Sequence, residues 1–222
     1  MKILELFAGS RSIGKVADEL GCQVFSVDIK NFKGINLVKD IEFLNIKDIP
    51  FKPDMIWASP PCTTYSIAAI GHHRNMGKPK TYFAAKSDRL VLNTLKLIKE
   101  YNCKYFIENP RGYLRKMNFM KGIPRTTVWY CRYGDRAAKP TDIWSNHIYS
   151  LFNPNGWQPR QECFNGNIKC HHESAPRGST IKKLKEKGII VKKGGTQAKK
   201  NNYERSMIPK QLCEEIIKSI TL

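Results

Sequence analysis

Short apolar runs alternate with amphipathic helical stretches through the first half of the chain. Lys2-Ile3-Leu4-Glu5-Leu6-Phe7 reads as a buried strand, and Ala8-Gly9-Ser10-Arg11-Ser12 as the turn after it. Ile13, Val16, Ala17 and Leu20 recur at i, i+3, i+4 and i+7, one face of a helix with Ser12 as its N-cap and Gly21 as its stop. Gln23–Val27 follows as a second strand, closed by Asp28. Strand, helix, strand in this order predicts a parallel sheet with right-handed crossovers. Asp54–Ala58 is a third strand, stopped by Pro60 and Pro61 because proline cannot continue a central ladder. Ser87 is read as the cap of a helix reaching Glu100, with Leu90, Val91, Thr94, Leu95 and Ile98 turned inward. Tyr105–Ile107 is another buried strand, ending at Glu108-Asn109-Pro110, and Thr126–Cys131 is a strand by its β-branched and aromatic content.

Other stretches lack a period. Phe32–Asp48 is irregular. Thr63–Ala85 carries His72, His73, Arg74, Lys78 and Lys80 and reads as a mobile surface loop, placed to act as a lid because it begins at Cys62. Residues 136–202 are rich in Pro, Gly, Asn and Lys, and Ile181–Lys200 holds eight lysines against one acid, Glu186. Pro209 starts a last helix in which Leu212, Ile216 and Ile220 repeat every four residues. The expected organisation is a main domain over 1–135, a basic region over 136–202, and a returning segment over 203–222.

Charge narrows the class. Lys and Arg number 38 against 19 Asp and Glu, a formal net charge of +19, which favours a polyanionic partner, nucleic acid first. A membrane surface is disfavoured, since no basic helix has a strong apolar face, and no apolar run approaches the roughly 18 residues that span a bilayer. Seven irregularly spaced cysteines and a start directly in a strand, without a secretory leader, predict a cytoplasmic protein with reduced thiols and no disulfide framework.

Cys62 is the first residue after the two prolines. Open α/β sheets take ligands at the carboxyl ends of their strands, and proline restricts where the thiol points, so Cys62 is either a mounted nucleophile or a small apolar plug. The Phe7–Ser10 turn suits a nucleotide-like ligand, with Asp28 about 20 residues on to accept from ribose hydroxyls. Glu108, at another strand end, is a candidate acid or hydrogen-bond partner, or else an N-cap. In a parallel sheet Gly9, Asp28, Cys62 and Glu108 share one edge, and a single crevice accounts for all four. Cys163, Cys170, His171 and His172 offer soft ligands, but without the tight Cys-x2-Cys pair of common zinc sites, so no metal is assigned. The lysine run is either a solvated face or a phosphate contact, and the total charge favours the second.

These motifs together resemble the DNA cytosine-5 methyltransferases, of the compact kind found in phages. Leu6-Phe7-Ala8-Gly9 resembles the family's first motif, Ser59-Pro60-Pro61-Cys62 its Pro-Cys motif, and Phe106-Ile107-Glu108-Asn109 its Glu-Asn motif. Tyr203–Pro209 resembles the late segment that closes the cofactor pocket. The resemblance implies a Rossmann-like α/β S-adenosylmethionine-dependent methyltransferase fold with a small, irregular basic target-recognition region. It implies S-adenosylmethionine as cofactor, bound by Phe7, Ala8, Gly9, Asp28, Ile29, Asp40, Ile41 and Pro60. Cys62 is then the nucleophile and Glu108 the residue that holds the cytosine ring, in a cleft whose basic character favours the thiolate. The family's later arginine has no clear counterpart; Thr127 or Tyr130 occupies its region and Arg132 is the nearest substitute. Arg74, Lys78, Lys182, Lys183, Lys192 and Lys193 are expected to meet double-stranded DNA, and the protein to act as a monomer in a bacterial or phage-infected cell. Two rival readings are an amino-methyltransferase acting on cytosine N4, which needs no thiol, and a catalytically idle DNA-binding protein with the same fold.

Overall fold

The chain is described by a computed structural model covering residues 1–167, 169–172, 186, 188 and 202–221. Lysines 182, 183, 192 and 193 lie outside the described residues. The strands are β1 (Lys2–Leu6), β2 (Gln23–Asp28), β3 (Leu37–Val38), β4 (Met55–Ala58), β5 (Arg74–Asn75), β6 (Lys78–Pro79), β7 (Lys104–Pro110), β8 (Arg125–Trp129) and β9 (Pro140–Ser145). The helices are α1 (Ser12–Glu19), α2 (Ile70–His73), α3 (Tyr82–Tyr101), α4 (Asn202–Ser206) and α5 (Lys210–Thr221). One sheet has the order β3-β2-β1-β4-β7-β9-β8. Its β3-β2-β1-β4-β7 part is parallel, as the βαβ opening predicts, and β9 runs antiparallel to both of its neighbours.

Period-2 alternation sorts the sheet residues between two layers. Ile3, Met55, Trp57 and Phe106 pack under α1 and α5. Leu4, Leu6, Ile56, Ala58 and Ile107 pack under α3. Glu5 breaks the apolar run of β1 on the α1 side, where it is buried and accepts from the Gly14 N–H (3.0 Å) and the Ser26 hydroxyl (2.8 Å). Burial pushes its carboxyl above the usual range despite these bonds.

The turn after β1 works without a glycine at position 11. Arg11 adopts the left-handed conformation itself (φ 53°) and sends its guanidinium back to Ser26 (3.0 Å) and Asp18 (3.1 Å). Glycine is required instead where that guanidinium passes: a Cβ on Gly14 would meet Glu5 Oε2 at 2.6 Å, and one on Gly34 would meet Arg11 Nη1 at 2.8 Å. Arg11, not Ser12, is the N-cap residue, and it makes no side-chain capping bond.

Three further expectations are corrected. Helix α3 begins at Tyr82, capped by Thr81, whose hydroxyl accepts the Ala84 N–H at 3.1 Å; the Ser87 hydroxyl turns back to the Phe83 carbonyl within the helix. Leu97 is fully buried where Leu95 is only partly so. Thr63–Ala85 is not a mobile loop. It comprises a 3-10 turn (Thr63–Tyr65), α2 and the β5–β6 hairpin, assembled around Arg74. That side chain is only 3% exposed, donates to Thr64 O, Gly77 O and both Asp88 oxygens, and lies 4.4 Å from the Tyr65 ring centre. Arg74 is therefore no phosphate ligand, because its donors are spent inside the fold. Lys78 remains exposed on the hairpin.

The boundary at 135 also moves. β9 lies inside the stretch whose composition suggested a separate region, yet it is inserted between β7 and β8, and Trp157 is buried in the α1/α5 core. Lys139-Pro140-Thr141-Asp142 reads as polar and irregular. Asp142 is nevertheless fully buried, because Arg115, Arg125 and the Thr127 hydroxyl neutralise and bond it. A buried carboxylate is tolerated when its charge and lone pairs are met.

Candidate active site

The Pro-Pro-Cys turn is fixed from two sides. Trp57 at the end of β4 donates its indole N–H to the Ser59 hydroxyl (2.9 Å), and the Asn109 amide donates to the Pro60 carbonyl (2.8 Å). Asn109 reaches that carbonyl because β7 runs past β4. Ala58 pairs with Ile107, so Glu108 and Asn109 continue beyond the last β4 residue and pair with β9 instead. Glu108 thus lies within its strand, not at the strand's end. It points to the α1/α5 face, 6% exposed, and accepts the Tyr130 hydroxyl at 2.9 Å. Burial first, then the charge and bond of Glu108, raise the Tyr130 phenol well above its ordinary value, so it stays a neutral donor.

Lys139 supplies the charge opposite. It leads into β9 with φ 26°, a conformation that side-chain-bearing residues seldom adopt, and it is buried. Its ammonium lies 4.4 Å from the Tyr130 ring centre and donates to the Arg205 carbonyl at 2.7 Å. Cys62, Glu108 and Lys139 line one cavity of about 180 Å³ together with Phe7, Gly9 and Pro60. Cys62 and Lys139, with Pro110 and Arg111, also line a second cavity of about 180 Å³. The thiol is not depressed, contrary to the expectation of a basic cleft. Burial and then the Glu108 carboxylate push it up, and Lys139 opposes them without prevailing.

A larger cavity, about 480 Å³, continues from the first one across Phe7, Gly9, Ser10, Ser59 and Pro61. Asp28, Ile29, Asp40 and Ile41 line it. Asp28 accepts from the Gly9 N–H (3.0 Å) and the Lys30 N–H (2.9 Å), one on each oxygen, so each keeps a lone pair. Asp40 accepts from the Glu42 N–H (3.0 Å) and from Lys86 (2.6 Å). Burial acts to raise its carboxyl, but the Lys86 bond, the Glu42 N–H and the Lys86 charge together outweigh it and hold Asp40 below the usual range. Ala8 and Pro60 line the cavity beside Cys62 rather than this one. The late segment closes both: Tyr203 and Ser206 reach the larger cavity, and the Ile208 N–H donates to the Ser12 hydroxyl at 3.0 Å.

Arg132 does not reach either space beside Cys62. It sits in the 3-10 turn after β8 and donates to the Glu162 carbonyl at 3.1 Å. Two positions along a three-residue turn put it on a different side from Tyr130. Thr127 is committed to Asp142. The cation beside Cys62 and Glu108 is instead Lys139, which lies within the basic stretch after residue 135. The β-branched and aromatic Thr141, Ile143 and Trp144 that follow the lysine are the available signal of a strand there.

Comparison with known proteins shows the family and the fold. A "Probable DNA (cytosine-5)-methyltransferase" of Frog virus 3 (isolate Goorha) is 31% identical over 154 residues, covering 66% of this chain and 71% of that protein. The Entamoeba histolytica methyltransferase EhMeth shares the fold with a TM-score of 0.56 at 12% identity, over 99% of this chain and 97% of its own. A structure described as a "putative DNA modification methyltransferase encoded within prophage" of E. coli has a TM-score of 0.51 at 14% identity, over 74% of this chain. The present chain spans about half, 52%, of that prophage structure. Residues 1–121 match the C-5 cytosine-specific DNA methylase family, which takes in the first turn, Cys62 and Glu108, and the chain belongs to that family.

Proposed function

We propose that the protein methylates C5 of cytosine in double-stranded DNA, with Cys62 attacking C6 of a base extruded into the cavity it shares with Glu108 and Lys139. The observation that carries this reading is the continuity of that cavity with the larger one at Phe7, Gly9 and Ser10. The larger space fits S-adenosylmethionine by size and by donor set: apolar Ile29, Ile41 and Leu90 for a purine, and Asp28 and Asp40 for hydroxyl and amine donors. Bound there, the cofactor supplies the methyl group that C5 accepts.

The residues divide the work. Cys62 gives up its proton to solvent, the thiolate sulfur bonds to C6, and the C5–C6 double-bond electrons become available at C5. Glu108 binds the N3 and N4 edge and supports a proton at N3, which draws electrons away from C6 as the sulfur approaches. After methylation the C5 proton leaves to water, the double bond reforms and the Cys62–C6 bond breaks, and the released thiolate takes up a proton again from solvent. Tyr130 holds Glu108 in place, and Lys139 stabilises negative charge at the thiol and at the base. Extruding the base costs a few kcal/mol, met by contacts in the pocket. Phosphate contact falls to Lys78 and to Lys182, Lys183, Lys192 and Lys193. The recognition region then begins after β9. The excess of cations, which sets like chains apart, supports a monomer. Among the described residues no helix is long and apolar enough to cross a membrane.

DNA carrying 5-fluorocytosine is the test, since fluorine cannot leave C5 as a proton does. The protein should be trapped in a stable adduct, and Cys62→Ala should form none. Normal methylation by the alanine variant would overturn the mechanism and leave N4 as the acceptor.

A further inference from the structure

Outside the methyl-transfer site, four metal-ligating side chains converge. Cys131 follows β8, and Cys163, Cys170 and His172 come from the segment that precedes the lysine run. Their three sulfurs and one imidazole nitrogen all lie within 4.8 Å of one another. Cys163 Sγ and His172 Nδ1 are 3.8 Å apart. Tetrahedral zinc, with bonds of about 2.3 Å to sulfur and 2.0 Å to nitrogen, requires neighbouring ligand atoms to be roughly 3.5–3.8 Å apart. Cys131, Cys163 and His172 are buried, and Trp129 and Ala138 pack around the sulfurs.

The local chain is shaped to present these ligands. Gly166 takes φ 87° in a turn closed by the Asn167 N–H on Phe164 O and the Cys170 N–H on Asn167 O. The Asn167 amide lies 3.4 Å from Cys163 Sγ, an N–H donor of the kind that supports a metal-bound thiolate. His171 turns the other way, to the Asp135 carbonyl at 3.0 Å. The sequence offered Cys163, Cys170 and two adjacent histidines without the pairing of a zinc motif. The missing ligand is Cys131, which only folding brings to them.

We propose that Cys131, Cys163, Cys170 and His172 form a structural zinc site that fastens the start of the basic region to the end of β8. Four closed protein ligands leave no position for substrate, so the metal positions rather than reacts. Cys131 immediately follows Tyr130, whose hydroxyl holds Glu108, so the same site ties the basic segment to the catalytic strand. A disulfide is the competing use of these thiols, and it would leave the third cysteine and the histidine unmatched.

The test uses the full chain purified without added metal. Elemental analysis should find one zinc per chain, and replacement by cobalt should give the visible spectrum of a tetrahedral thiolate site. Cys163→Ser and His172→Asn should lose the metal, and His171→Asn should keep it. Because these variants can also fail to fold, the metal content and cobalt spectrum of the unaltered protein are decisive. Less than a tenth of an equivalent of zinc with no cobalt spectrum, or a disulfide among the three cysteines on thiol counting, overturns the proposal. The fluorocytosine adduct at Cys62 is independent of either result.

Discussion

Replacing Arg74 with Met separates a buried ion pair from a DNA contact. Arg74 donates to both oxygens of Asp88, at 2.7 and 3.0 Å, and to three main-chain carbonyls, those of Thr64, Gly77 and Ala84. Removing one member of a buried pair costs about 3–5 kcal/mol, because the remaining charge keeps its desolvation without its partner. Asp88 retains 14% side-chain exposure and still accepts the Tyr65 hydroxyl at 2.7 Å, which places the loss near the lower end, about 3 kcal/mol. For a chain of this size each kcal/mol moves Tm by about 2–4 °C, so the expected drop is roughly 6–12 °C by calorimetry or circular dichroism. DNA affinity measured on the folded variant at several salt concentrations should keep its slope. A surface arginine on a phosphate would give the opposite pattern, with stability held within about 0.5 kcal/mol and the log–log salt slope flattened by about 0.9. That result would refute the structural assignment of Arg74 and restore it as a DNA ligand.

The Cys62 thiol titrates above its ordinary value, so its reactive anion is scarce at neutral pH and grows as pH rises toward that raised value. Alkylation of Cys62 in the free protein, followed by mass spectrometry, should therefore show a midpoint above that of an ordinary thiol, moved down by Glu108→Gln and up by Lys139→Met. A midpoint below the ordinary thiol range, or shifts of the opposite sign, would count against the charge arrangement. Asp28→Ala leaves the Gly9 and Lys30 N–H groups without their carboxylate and should weaken S-adenosylmethionine binding by about 1–3 kcal/mol, or roughly 5- to 150-fold, in titration calorimetry. An equal loss of DNA affinity would show that the turn itself had collapsed.

Much of this fold and site was legible in the residues, for a local reason. Strands Lys2–Leu6 and Met55–Ala58, the helix face of Ile13, Val16 and Ala17, and the stops at Gly21 and Pro60-Pro61 depend on neighbours a few positions away, which the sequence shows directly. Gly9, Asp28 and Cys62 follow from them, because parallel strands bring their carboxyl ends to one edge whatever lies between, and the resemblance added Asp40 and the role of Glu108. The rest depends on partners far along the chain. Arg74 looks like any basic loop residue until Asp88 and Tyr65 enclose it. Asp142 looks solvent-exposed until Arg115 and Arg125 neutralise it and β9 enters the sheet. Lys139 meets Cys62 and Glu108, and Cys131 meets Cys163, Cys170 and His172, only through tertiary packing. Hydrophobic periodicity reports which face of an element is buried; it carries no information about which distant charge or thiol will satisfy a polar group once water is gone.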